Sequence, residues 1–154
     1  MWLDVNNCAD SQYSIPKGYS DTPWTWTSTL TGRVVFTGGH VHNGGLYDDL
    51  ANQTTGEHLC KSTAGYGTKA AYQGSIESMS TCVWDRLGAV RSGDVLMMHT
   101  VYDSPEARSD VMGIMIAYVY ETADLQGGTL APASVTSPGG GGSGSAPPSG
   151  GHQH

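Results

Sequence analysis

A chain of 154 residues with 7 Lys+Arg against 14 Asp+Glu, for a net charge of −7, is sized for one domain plus a tail. It holds no basic cluster to neutralise a run of phosphates, which argues against nucleic acid as a partner. No apolar run approaches the ~20 residues that a bilayer-crossing helix needs, so no membrane span is expected; the opening Met1-Trp2-Leu3-Asp4-Val5-Asn6-Asn7 also lacks the basic and apolar stretches of a signal peptide.

Helical periodicity is weak throughout, and the strand candidates are Thr25 to Leu30, Arg33 to Thr37, Asp94 to Tyr102 and Val111 to Tyr120, separated by turn signals such as Thr31-Gly32, Ser92-Gly93 and Asp103-Ser104-Pro105. Many short strands without helices between them predict an all-β, antiparallel β-sandwich of jelly-roll type. Ahead of the first strand, Cys8 is an odd cysteine once Cys60 and Cys82 are paired. That pairing is expected because both lie in polar-flanked segments that can meet across neighbouring strands and close a loop of ordinary length. Trp24 and Trp26 share one face, to seal a sandwich edge or to form a sugar-stacking platform; sealing is the preferred reading.

The segment Gly38-Gly39-His40-Val41-His42-Asn43-Gly44-Gly45 is the most informative in the chain. A His-x-His pair in extended backbone sends both imidazoles to the same face, because strand side chains alternate with period two. The flanking glycines remove bulk and permit close approach of a ligand or a neighbouring strand. Further on, Asn52-Gln53-Thr54 is a glycosylation sequon in a turn-like stretch, and His58 beside Glu57 reads as surface. His99 reads as a partly buried, hydrogen-bonded histidine, or else as a group that orients a metal ligand or as an extra ligand of a metal site. Met97, Met98 and Met115 read as core filler in preference to a methionine relay.

In the last strand Met112, Ile114, Ile116, Tyr118 and Tyr120 share one face and Val111, Gly113, Met115, Ala117 and Val119 the other, so it reads as a central strand buried on both sides. Residues 1–126 form the sandwich domain, and 127–154 collapse into a low-complexity tail of Gly, Pro, Ser, Ala and Thr. Ordering such a tail costs on the order of 1–2 kcal/mol per residue, so a neighbouring subunit is the expected holder and self-association through the tail follows. The terminal His152-Gln153-His154 repeats the His-x-His spacing, as a remnant or as a tethered ligand.

Two imidazoles and a thioether make a soft, open ligand set that suits copper, whereas zinc rarely takes Met. The order His40-Val41-His42, Gly93-Asp94-Val95-Leu96 and Met112-Gly113-Ile114-Met115-Ile116-Ala117-Tyr118 resembles the C-terminal copper domain of the type II, ascorbate-dependent copper monooxygenases, such as peptidylglycine α-hydroxylating monooxygenase. The likeness covers about residues 33 to 120. The Gly-Gly-His-x-His-Asn-Gly-Gly form and the Val-Met-Gly-Ile-Met ending look closer still to a stress-up-regulated, Nod19-like secreted branch. The resemblance implies His40, His42 and Met112 as copper ligands. It also exposes departures: the arginine, asparagine and tyrosine that clamp a peptide carboxylate in that family fall at Gly38, Ile114 and Ile116, and the family's disulfide beside the Met falls at Thr100 and Gly113. Peptide amidation is therefore not expected. The function expected is a secreted, copper-binding, non-catalytic or structural module, as a subunit of an extracellular assembly or filament; a copper oxidase or monooxygenase-like domain fed by an external reductant is the alternative.

Overall fold

The computed structural model describes residues 1–5, 12–83 and 87–122. Cys8, the 127–154 tail and its two terminal histidines lie outside them. Twelve strands account for the secondary structure of the described residues: β1 (Trp2–Asp4), β2 (Tyr13–Ile15), β3 (Gly18–Thr27), β4 (Gly32–Val41), β5 (Gly45–Asn52), β6 (Glu57–Tyr66), β7 (Ile76–Met79), β8 (Thr81–Val83), β9 (Ala89–Val90), β10 (Val95–Ser104), β11 (Arg108–Val111) and β12 (Gly113–Glu121). One sheet runs β1-β12-β4-β8, with β9 also on β4; a second runs β3-β10-β5-β6-β7; β2 and β11 form a small ribbon. All the strand pairings are antiparallel. The all-β sandwich expected from the sequence is the fold observed.

Period-two alternation builds the core. On β10, Leu96, Met98, Thr100 and Tyr102 are fully buried and turn inward, as do Gly113, Met115 and Ala117 on β12. Leu3, Val34, Leu50, Leu59, Leu96, Met98 and Met115 join in the main cluster, and Ile15, Val41, Tyr102 and Val111 form a smaller one. Met98 and Met115 are thus core residues, as expected, and Met97 faces out opposite Ala51 and Thr25. Trp24 and Trp26 pack against the main cluster, which is the sealing role.

Three expectations shift. The strand proposed from Thr25 to Leu30 runs instead from Gly18 to Thr27, pairing with β10 along its whole length. It stops where the Ser28 hydroxyl both accepts from the Leu30 N–H and donates to the Leu30 C=O, a local turn that competes with the ladder. The strand read as buried on both faces keeps its outward face buried only at its start, where Ile114 is covered; outward Tyr118 and Tyr120 are 60% and 65% exposed. The disulfide between Cys60 and Cys82 is present, with Cα atoms 5.8 Å apart, yet it joins β6 of one sheet to β8 of the other, not two neighbouring strands.

Candidate metal centre

The histidine pair sits where β4 leaves the sheet. Beyond an irregularity in its pairing with β12, Thr37, Gly39 and Val41 turn into the sandwich, and Gly38 and His40 turn out. Gly39 is required inside: a Cβ there would meet the Asp48 carboxylate at 2.6 Å and Ser62 at 3.0 Å. One residue past β4, His42 returns to the outer face, and its ring lies 5.3 Å from that of His40, nearly perpendicular at 89°. The chain then reverses. Gly45 N–H donates to the His42 C=O at 2.8 Å, Gly44 takes a φ of +95°, and the Tyr66 hydroxyl accepts from Gly44 N–H and donates to Gly45 C=O, both at 2.8 Å. Asn43 Oδ1 accepts from Ile76 N–H at 3.0 Å, tying this turn to β7.

The register of β12 brings Met112 to the same end. Ile114 pairs with His40 and Gly113 with Val41, so the next step sets Met112 opposite His42. There the ladder is interrupted. The Tyr102 hydroxyl accepts from His42 N–H at 2.8 Å and donates to Met112 C=O at 2.6 Å, standing in for the direct rung. Burial, first among several causes, pushes the Tyr102 phenol up, so it remains a donor. Behind this point Gly113 packs so closely on Thr100 that any side chain would collide with it.

Two cavities meet at His40. One of about 480 Å³ is lined by His40, His42, Asn43, Glu77, Met79 and Arg108; the other, about 330 Å³, by Trp2, Gly38, His40, Met112, Ile114 and Ile116. The structure thus places His40 beside His42 in one cavity and beside Met112 in the other. Burial, followed by the neighbouring His42, lowers the His40 pKa and favours the neutral ring whose nitrogen lone pair can bind a metal. Among the described residues no group of three or more His, Cys, Asp or Glu is arranged to hold a metal ion. The donors gathered at this end are therefore two imidazoles with thioethers nearby, a set whose softness matches copper better than zinc.

Other residues singled out by the sequence lie elsewhere. His99 faces outward on the second sheet, across the sandwich from His40 and His42, where its Nδ1 is 2.8 Å from Asp21. From that position it cannot hydrogen-bond to either imidazole, because strand alternation points residue 99 away from the core that separates the two faces. His58 is on the surface beside Asp49 at 2.7 Å. Asn52 is fully buried; its amide nitrogen donates to Asp94 at 2.7 Å and to Ala89 C=O at 3.3 Å, and its oxygen accepts from Thr54 and Thr55. That nitrogen is committed inward, which speaks against a glycan on Asn52 in this fold. Tyr102, Tyr66, Glu77, Met79 and Arg108 were not marked by any motif. Tyr102 carried a signal nonetheless: a phenol in phase with buried Leu96, Met98 and Thr100 must find a polar partner inside.

An antiparallel sandwich with a histidine pair at the outer end of one strand defines the class of domain. Within it, residues 2–122 match the family described as stress up-regulated Nod 19, and the chain belongs to that family. Comparison with curated proteins and with solved structures returns no match.

Proposed function

We propose that the protein is an extracellular copper-binding module, held by His40, His42 and Met112, with a binding or structural role. The observation that carries this is the convergence of both imidazoles at 5.3 Å on the outer face, with Met112 lining a cavity shared with His40. Thr100 and Gly113, where the copper-monooxygenase resemblance puts a disulfide, lie against one another, and this supports the ligand alignment as well. Copper held there would be an exchangeable Cu(I)/Cu(II) centre with open positions. A disulfide between the sheets suits an extracellular setting, and no described helix is long and apolar enough to cross a membrane. Self-association through the 127–154 tail would make the domain a unit of a larger assembly.

The monooxygenase-like alternative draws on the open cavity beside both histidines, but the peptide clamp positions are Gly38, Ile114 and Ile116, and the last two wall the other cavity, beside His40 and Met112, with hydrocarbon. The test is copper titration with X-ray absorption on wild type and His42→Ala. Wild type is expected to hold copper with nitrogen and sulfur neighbours and His42→Ala to lose it; equal loading of both overturns the reading. Ascorbate and dioxygen added to loaded wild type are expected to give no sustained turnover, and rapid oxygen consumption would favour catalysis.

A further inference from the structure

We infer that Tyr102 is a positioning residue, whose single hydroxyl sets the spacing between the His42 imidazole and the Met112 sulfur and so keeps that sulfur in the copper donor set. This rests on the copper reading above. In a regular antiparallel ladder, every second facing pair exchanges N–H and C=O directly. By register, His42 and Met112 would form the next such pair after His40 and Ile114. Instead the chain of donors runs from His42 N–H to the phenol oxygen at 2.8 Å and from the phenol to Met112 C=O at 2.6 Å. The two strands are held apart by one oxygen at the place where their side chains must reach a common ion. Neither strand alone fixes that gap.

The phenol is a rigid spacer. Tyr102 is fully buried, stands edge-on to Tyr13 at 6.4 Å and 84°, and packs with Ile15, Val41 and Val111. Its anchor is β10 of the opposite sheet, so the separation of two strands in one sheet is dictated from the other. Without the hydroxyl, the strands either close to a direct rung or admit water, and in both cases the backbone under Met112 moves relative to His42. The imidazoles themselves ride on β4 and its turn, which Tyr66 and Asn43 secure independently. Loss of the hydroxyl should therefore cost the sulfur and spare the nitrogens.

The experiment compares copper-loaded wild type, Tyr102→Phe and, as control, Tyr66→Phe, which deletes a hydroxyl that does not touch Met112. For Tyr102→Phe the copper–sulfur shell in X-ray absorption should vanish and Cu(I) affinity drop on the order of tenfold, the scale of one buried hydrogen bond. Its Cu(II) affinity, carried by nitrogen, should stay within about threefold of wild type. Tyr66→Phe should retain the sulfur shell. A sulfur shell and Cu(I) affinity unchanged in Tyr102→Phe overturn the inference. Absence of copper from wild type would instead refute the copper reading. Should Tyr102→Phe not fold, hydrogen exchange on metal-free wild type decides: the His42 amide should exchange on the order of tenfold more slowly than that of exposed Asn43, and equal rates remove the bridge.

Discussion

Asp48 is the residue at which chemistry and stability conflict most openly. It sits fully buried on β5 beneath Gly39, with the Thr100 hydroxyl donating to one oxygen at 2.7 Å. Burial pushes its carboxyl from 3.8 up to about 8, against the opposing pull of the Thr100 hydroxyl and the His40 backbone N–H. Between those two values the unfolded chain releases a proton that the folded chain keeps, so raising the pH favours unfolding throughout that window. The melting temperature should decline as pH rises from about 4 to about 8, with Asp48→Asn flattening the slope and melting higher than wild type at the alkaline end. Parallel slopes in thermal circular dichroism would rule this out. Legibility at this scale was uneven. The shared face of His40 and His42 follows from period two alone, and Met112 emerged only through resemblance. The burial of Asp48 and Asn52 was invisible, because what keeps each inside is a partner distant in sequence, Thr100 for one and Asp94 for the other.

Among the elements, β12 shows how a glycine can be dictated by the opposite sheet. Gly113 begins the strand one residue after Met112, and a methyl group there would run into the Thr100 side chain. Gly113→Ala should destabilise the protein by about 1–3 kcal/mol, the usual cost of overpacking, and chemical denaturation measures it. Pairing it with Thr100→Ala, which removes both the hydroxyl and the methyl that crowd this point, should cost less than the sum of the two single changes; additive effects would show that the two positions do not press on each other. The strands recognised from sequence, β3, β4, β10 and β12, are those in which apolar residues alternate visibly. By contrast, β5 and β6 went unrecognised because they bury Asp48, Asn52 and Ser62 alongside Leu50 and Leu59, which scrambles the alternation. The end of β3 at Thr27 was missed because a serine side chain, not a glycine or proline, turns the chain.

At the level of the whole molecule, the Cys60–Cys82 bridge ties the two sheets together across a sequence separation of 22. A loop of that size restrains the unfolded chain by about 3 kcal/mol. Cys60→Ala with Cys82→Ala should lower stability by about that amount in urea unfolding, and copper loading of the folded variant should persist, since neither cysteine lines the cavities at His40. If loading is lost while the fold persists, the link between sheets also governs the histidine end. The all-β class was evident in the sequence, but the reach of the bridge from one sheet to the other was not, because cysteine spacing reveals closure and never the layer each partner occupies.

The imidazoles project from the outer side of their sheet, with the packed interior behind them. An ion lodged there would come and go by collision with a chelator or a carrier, without prising the layers open. Loading and folding would then be separate events, and an emptied protein would wait intact for its next charge.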